Sequence, residues 1–297
     1  MNLRDAWFFT AGIAFLAMAK VKHTLSGYAT PKPFDMSDTD RCIAYDEHVI
    51  EDWLQEMHSY RPEGAALSGR NVLELGPGSD LGIGLLLLAK GAKQYNACDV
   101  NDLAKSTPPS FYDKLFTRLQ ALDAGTHTAF LREQLDKLRA GQPSLLNYVV
   151  QHDFDLPAAV GAGTIDLVFS QAAFEHFDDV EAVVAQLSAV CRPGAVLIAE
   201  IDLKTHSRWI RDQDPNNIYR YPDFIYDAFW FRGIPNRVRP HEYQRAFERH
   251  GWTGIRIRSR VRLEAPHGSL TGLHRRFAGA INAMECLSFM LCATRGP

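Results

Sequence analysis

The fold of this 297-residue chain is decided by residues 71–82, which read NVLELGPGSDLG. The apolar run 71–75 is typical of a short buried strand. Gly76 and Gly78 follow at once, and glycine permits the positive φ and the close backbone approach to a ligand that such a turn needs. A helix is predicted over 81–90, and the free N–H groups at a helix start favour a negatively charged group. The stretch therefore predicts a strand, a glycine turn and a helix that together bind a ligand.

Strands and helices alternate along the rest of the chain. Further strands are predicted at 94–99, 145–151, 165–170, 195–201, 255–263 and 287–293, and helices at 37–57, 180–190 and 241–250. This alternation indicates an α/β fold with a parallel sheet that helices cover on both faces. Residues 102–144 and 203–238 are longer than ordinary loops, so we expect helical cap insertions near the carboxyl edge of the sheet, where such sheets bind ligands.

The glycine spacing distinguishes two kinds of nucleotide site. A dinucleotide site requires the pattern G-x-G-x-x-G, but Gly82 stands one place too late after Gly78, and Pro77 stiffens the turn. A pyrophosphate site is therefore disfavoured. Asp99 ends the second strand about 20 residues after the first glycine, where an acid can accept hydrogen bonds from both ribose hydroxyls.

Taken together, the motifs resemble those of class I S-adenosylmethionine-dependent methyltransferases of the methyltransferase-domain type. The resemblance rests on Glu74-Leu-Gly-Pro-Gly, on Asp99, on His152-Asp153-Phe154, on Ser170-Gln-Ala-Ala-Phe-Glu-His-Phe and on Arg192-Pro193-Gly194. It is clearest over residues 70–202, and the strand pattern extends it to residue 293. It implies a Rossmann-like seven-stranded sheet of order 3-2-1-4-5-7-6 with the last strand antiparallel, and S-adenosyl-L-methionine as the cofactor.

The resemblance also implies which residues bind the cofactor. They are Glu74, Gly76, Pro77 and Gly78 at its amino-acid end, Asp99 at the ribose hydroxyls, Val100, Asp153 and Phe154 at the adenine, and Ser170 and Gln171 at the methionine portion. A turn residue or a strand-end cap is the alternative for Asp153 or Asp99 taken singly.

Methyl transfer needs a base only when the acceptor carries a proton that must leave. His176, His206 and Asp202 follow the fourth and fifth strands, so they are the predicted catalytic residues. A packing histidine is the alternative for His176, and a solvated loop is the alternative for the other two. No ligand spacing demands a metal, although Asp202, Asp212 and Asp214 could gather at the same edge.

The 203–238 insertion is rich in aromatic residues and arginine, a combination that suits sugar stacking, a planar ring or a phosphorylated acceptor. The leading hypothesis is therefore O-methylation of a small molecule or a glycan. An NAD(P)-dependent oxidoreductase and a non-catalytic module that retains the cofactor pocket are the alternatives. Aromatic side chains that merely form a small core are the simpler explanation of the insertion.

Composition excludes several other classes. Lys and Arg total 32 and Asp and Glu 35, which gives a net charge of −3 and argues against a nucleic-acid partner. The five cysteines lack a CxxC pair, which fits free thiols in the cytoplasm.

We expect residues 1–60 to form N-terminal helices or a cap and residues 61–297 to form the methyltransferase domain. The sequence does not indicate an oligomeric state.

Two further patterns leave alternatives open. Residues 6–19 are almost wholly apolar, and they predict either a helix in peripheral contact with a membrane or one packed on the body, with a cleaved signal peptide as the alternative. The 255–263 strand places four arginines, at positions 256, 258, 260 and 262, on one side. They indicate a charged edge strand that resists aggregation, or a stripe that binds anions.

Overall fold

The computed structural model describes residues 2–27, 37–63, 66–122 and 125–297. The helices are α1 Leu3–Ser26, α2 Thr39–Tyr60, α3 Gly82–Ala89, α4 Pro109–Leu122, α5 Thr128–Arg139, α6 Leu156–Val160, α7 Val180–Val190, α8 Asp223–Ala228 and α9 Pro240–Arg249. The strands are β1 Asn71–Leu75, β2 Gln94–Asp99, β3 Leu146–Val150, β4 Ile165–Gln171, β5 Cys191–Asp202, β6 Trp252–Arg262 and β7 Cys286–Arg295.

The seven strands form one sheet of order β3-β2-β1-β4-β5-β7-β6, which confirms the predicted order. Strands β1 to β5 pair in parallel, and β7 runs antiparallel to both β5 and β6. The predicted start of β6 was wrong by three residues. The glycine at position 254 suggested a turn before the strand. In the structure Gly254 has a positive φ and lies in a bulge between Thr253 and Arg256, so the strand continues through it.

Two apolar layers cover the sheet. One contains α2, α3, α4 and α5, and the other contains α6, α7 and α9. Within the first layer, Trp53 of α2 is fully buried and stacks on Phe169 of β4 with ring centroids 4.9 Å apart. Helix α2 therefore packs in one of the layers that cover the sheet; the division at residue 60 between N-terminal helices or a cap and the methyltransferase domain stays a prediction. The Asp38 side chain caps the N-terminus of α2, because it accepts from the Arg41 N–H at 3.1 Å.

Strand β6 lies at the edge of the sheet, which agrees with the interpretation of its arginines as those of a charged edge strand. Arg256 and Arg258 both pair with Glu56 of α2, and Arg260 pairs with Asp52. Arg262 pairs with Glu285. Each of the four arginines thus has a carboxylate partner, so the anion-binding stripe that the sequence left open finds no support.

Helix α1 packs on the 203–238 insertion, hereafter the cap. Arg220 of the cap is fully buried and pairs with Asp214 at 2.7 Å and with Asp5 of α1 at 3.1 Å. Gly12 lies so close to the cap that an added Cβ would stand 2.0 Å from the Tyr221 hydroxyl. An ionic contact and a close glycine contact therefore hold α1 in one position. Within the described residues, no helix combines the length and the apolar character needed to cross a membrane.

We expect Gly12→Ala to loosen α1 from the cap, because the new methyl group would overlap Tyr221 and Asn217. Overpacking of this kind costs about 1–3 kcal/mol. The measurement is thermal unfolding together with the rate at which a protease cleaves α1. Ala14→Ser, on the exposed side of the same helix, is the matched control. Equal cleavage rates for the two variants would contradict the packing described above.

Candidate active site

A cavity of about 420 Å³ opens at the carboxyl edge of the sheet. The turn after β1 forms its floor, where Gly76 and Gly78 have φ of +70° and +77°. A Cβ on Gly76 would lie 2.8 Å from the Cβ of Ala173 in the turn after β4. Both the positive φ and this close contact require glycine, so the backbone of the turn is left open to the cavity. Gly76, Pro77 and Gly78 all line it.

Two carboxyl groups lie beside this turn. Glu74 at the end of β1 lines the cavity and accepts a hydrogen bond from the Tyr95 hydroxyl at 2.6 Å. Asp99 at the end of β2 lines the cavity together with Val100 and accepts from the Asn101 N–H at 2.9 Å. Burial raises the pKa of Asp99 above its usual value, and this backbone donor opposes the shift. The Asn101 N–H thus fixes the position of the Asp99 carboxyl, which can accept hydrogen bonds from a ligand in the cavity.

The far wall of the cavity comes from the turn after β3. Asp153 and Phe154 both line it, and Phe154 has a φ of +55°, which is uncommon for a residue with a side chain. The Phe154 ring lies 4.9 Å from that of Phe177. The left-handed backbone at residue 154 thus places an apolar ring and an exposed carboxylate at one edge of the cavity.

The last two residues of β4, Ser170 and Gln171, were both predicted to bind the methionine portion, but only one of them lines the cavity. Gln171 lines the cavity, and its side-chain amide donates to Glu200 at 3.0 Å. Ser170 does not line it: the residue is fully buried in the sheet and its hydroxyl donates to the Leu75 carbonyl at 3.3 Å. Successive residues of a strand point to opposite faces, so only one of this pair can reach the cavity from β4. The Ser170 side chain therefore does not reach the cavity, and its predicted role at the methionine portion stays a prediction.

A second cavity, of about 460 Å³, lies between α1 and the cap. Its lining is mostly apolar and includes Phe15, Leu16 and Met18 from α1 and Phe231 and Ile234 from the cap. His23 and Gly27, at the end of α1, line both cavities. The two spaces therefore adjoin at the C-terminal end of that helix.

Two imidazole rings stand where the cavities meet. His176 lines the first cavity and His206 the second, and their ring centroids are 4.9 Å apart. The structure thus brings two of the three predicted catalytic residues together. Desolvation by the surrounding protein lowers the pKa of both rings; that of His206 lies well below its usual value, and the neighbouring His176 adds to this shift. Both imidazoles are therefore neutral at neutral pH.

Asp202, the third predicted catalytic residue, is engaged elsewhere. Its carboxylate pairs with Arg211 and accepts from the Lys204 N–H at 2.9 Å. Asp214 is buried against Arg220, so Asp202, Asp212 and Asp214 do not form a metal-binding group within the described residues.

Glu175 is a site residue that the sequence analysis did not single out. It is buried beside the imidazoles, and neither carboxyl oxygen has a hydrogen-bond partner among the described residues. Burial and the nearby Asp202 raise its pKa well above the usual value. The ligand atoms of Glu175, His176 and His206 lie within 4.8 Å of one another, the one such group in the described part of the chain. These three residues could hold a divalent ion. The sequence analysis predicted no metal, and that stays a prediction.

Comparison with known proteins identifies the family. A family model described as a methyltransferase domain matches residues 45–257. The chain belongs to this methyltransferase family. A search of curated proteins finds no match to the sequence. The membership decides against the NAD(P)-dependent oxidoreductase and makes S-adenosyl-L-methionine the cofactor.

Three solved structures are among those similar to this chain. A putative sarcosine dimethylglycine methyltransferase from Galdieria sulphuraria is 13% identical with a TM-score of 0.46, covering 93% of this chain and 97% of that one. An S-adenosylmethionine-dependent methyltransferase from Mesorhizobium loti is 14% identical (TM-score 0.44; 81% and 96% covered). The CurJ carbon methyltransferase is 12% identical (TM-score 0.40), and the match covers 78% of this chain and half of that one.

The first cavity of this methyltransferase fits the cofactor. Nine of the ten predicted residues line it: Glu74, Gly76, Pro77, Gly78, Asp99, Val100, Asp153, Phe154 and Gln171. The two glycines of the turn suit the close approach of the amino-acid end, and the buried carboxyl of Asp99 suits a pair of hydroxyl donors. Individual roles for these residues remain predictions. The cofactor supplies an electrophilic methyl group on a sulfonium.

We expect Asp99→Asn to weaken binding of S-adenosylhomocysteine at least tenfold, since hydrogen bonds to a charged group contribute about 1.5–3 kcal/mol. Isothermal titration calorimetry measures the change. Asp102→Asn is the matched control, because Asp102 is exposed and does not line the cavity. Equal affinities for the two variants would show that the ribose site lies elsewhere.

Proposed function

We propose that this methyltransferase transfers a methyl group from S-adenosyl-L-methionine to a hydroxyl oxygen of a small molecule. The observation that carries the proposal is the contact of His176 and His206 at the junction of the two cavities. An acceptor in the second cavity would lie beside this pair of rings. A hydroxyl group loses a proton during methylation, and neutral imidazoles at that position supply a base.

The tautomer of His176 supports this role. Its Nδ1 lies 2.5 Å from the Gly233 carbonyl oxygen, which can only accept, so Nδ1 carries the proton. Nε2 of the neutral ring is then the nitrogen with basic character. The imidazole would accept the proton that the hydroxyl group loses, and the bound cofactor would supply the methyl group to the acceptor oxygen. Either ring of the pair could act directly, and the other would stabilise the charge that develops.

The lining of the second cavity favours a small molecule with an apolar body over a glycan. Most of the cap arginines that suggested a sugar or phosphate site form ion pairs with carboxylates of the protein itself. Arg211 pairs with Asp202, Arg220 with Asp214, and Arg237 with Asp223. Arg239, the residue directly after the cap, is buried and donates to backbone carbonyls. Arg208 and Arg232 are the two cap arginines that line a cavity, the former in the second and the latter in the first.

We expect His206→Ala and His176→Ala to lower kcat by about 10²–10⁴-fold, the usual contribution of a general base. Affinity for S-adenosylhomocysteine should change little in His206→Ala, because His206 does not line the first cavity. The measurement is methyl transfer from labelled cofactor to a panel of hydroxyl compounds. His58→Ala, at an exposed position of α2, is the control for loss of a histidine.

Two outcomes would count against the proposal. Full activity in both alanine variants would show that the acceptor needs no base from these rings. Activity lost on chelation and restored by a divalent cation would assign Glu175, His176 and His206 to a metal instead. If no class of acceptor is methylated, the alternative hypothesis of a non-catalytic module that retains the cofactor pocket would be favoured.

The pH dependence follows from the lowered pKa values of the two rings. A histidine whose pKa is lowered stays neutral, and thus basic, down to a pH below its ordinary value of about 6.5. We therefore expect kcat/KM to remain constant from pH 8 down to about 6.5 and to fall only in more acidic solution. Initial rates across this range provide the measurement. A decline that begins above pH 7 would be inconsistent with the site geometry.

A further inference from the structure

Helix α1 has two faces of different character. Its inner face carries Asp5, Phe8, Gly12 and Leu16, which contact the cap or are buried against it. Its outer face is exposed, and a helix that served only to close the cap would be polar there. The seven positions of this outer stripe are Leu3, Trp7, Thr10, Ala14, Met18, Val21 and Leu25.

The outer stripe is continuous and almost purely apolar. Its members are three or four residues apart, so their side chains form one row along the helix. Leu3, Trp7 and Leu25 are 92%, 68% and 80% exposed. The hydroxyl of Thr10 donates to the Ala6 carbonyl at 3.0 Å and is thus used within the helix. At 1.5 Å per residue the row is about 33 Å long. Large exposed apolar patches on soluble proteins mark interaction sites.

The surroundings of the stripe indicate what it contacts. Met18, Lys22, Arg208 and Trp209 line the second cavity, and Met18 and Trp209 are also exposed, which places them at its mouth. Lys22 and Arg208 form no ion pair with any carboxylate in the described part of the chain. The molecule as a whole has a net charge of −3, so this concentration of basic groups runs against the overall charge.

We propose that the outer stripe of α1 binds the surface of a lipid bilayer that contains anionic headgroups. The apolar row enters the boundary between headgroups and acyl chains, and the exposed tryptophans occupy the interfacial region that tryptophan favours. Lys22 and Arg208 lie where cations would meet lipid phosphates. The inner face keeps α1 parallel to the protein surface, so the helix lies along the membrane.

A second copy of the chain is the competing occupant. A pair of helices would cover the apolar row, but it would not account for Lys22 and Arg208 beside the second cavity. A lipid surface accounts for the apolar row, the tryptophan at the mouth of the cavity and the basic groups together. Because the second cavity opens on the same face, an acceptor with an apolar body can enter it from the lipid. The docking itself does not depend on the proposed methylation.

The test is co-sedimentation of the full chain with vesicles. We expect binding to vesicles of phosphatidylethanolamine and phosphatidylglycerol (3:1), and weaker binding to phosphatidylcholine alone. Trp7→Glu/Val21→Glu should reduce the apparent affinity at least tenfold. Leu122→Glu/Phe130→Glu adds the same charge at exposed apolar positions of α4 and α5 and should bind as the unmodified protein does. Lys22→Glu/Arg208→Glu should lower binding to the anionic vesicles only.

Binding of S-adenosylhomocysteine shows that each variant is folded, because neither Trp7 nor Val21 lines the first cavity. The proposal is overturned if the unmodified protein binds neither vesicle, or if the two glutamate pairs reduce binding equally. It is also overturned if light scattering finds a dimer that Trp7→Glu/Val21→Glu converts to a monomer while vesicles capture neither form. Vesicle binding with no activity on any hydroxyl compound would leave the docking intact and contradict the proposed function alone.

Discussion

One buried guanidinium holds together the part of the molecule that shapes the second cavity. Arg220 donates to Asp214 within the cap, to Asp5 of α1 and to the carbonyls of Gly268 and Thr271. These groups come from three segments that are far apart in sequence. Burying a charge is costly unless every donor is satisfied, so the network has low energy only when all three segments are in place. The cap, α1 and the 268–271 loop therefore form as one unit.

Much of the sheet and of the cofactor site was predictable because both depend on local signals. Short apolar runs bounded by glycine and polar residues predicted β1 and β2 to the residue. Parallel strands bring their carboxyl ends to one edge, so motifs after β1, β2 and β3 had to converge there. The burial of Ser170 within the sheet could not be predicted, because a motif gives the residue but not the direction of its side chain.

The cap could not be predicted in the same way, since its organisation depends on contacts between distant residues. Composition suggested that its arginines bind a ligand, whereas most of them bind the protein's own acids and carbonyls. Glu175 was missed because its unusual property is burial without a partner, which only the three-dimensional structure reveals. The contact of His176 with His206 likewise joins residues 30 positions apart in the chain.

The C-terminal end of α1 contributes to the walls of both cavities, through His23 and Gly27. His23 also stacks on Phe231 of the cap, with ring centroids 4.8 Å apart. A ligand that shifts this end of the helix in one cavity changes the shape of the other. Occupancy of the two cavities is then linked, and the linkage is reciprocal: whatever factor cofactor binding applies to acceptor affinity, acceptor binding applies to cofactor affinity. A shared wall thus gives the two ligands an energetic connection without direct contact between them.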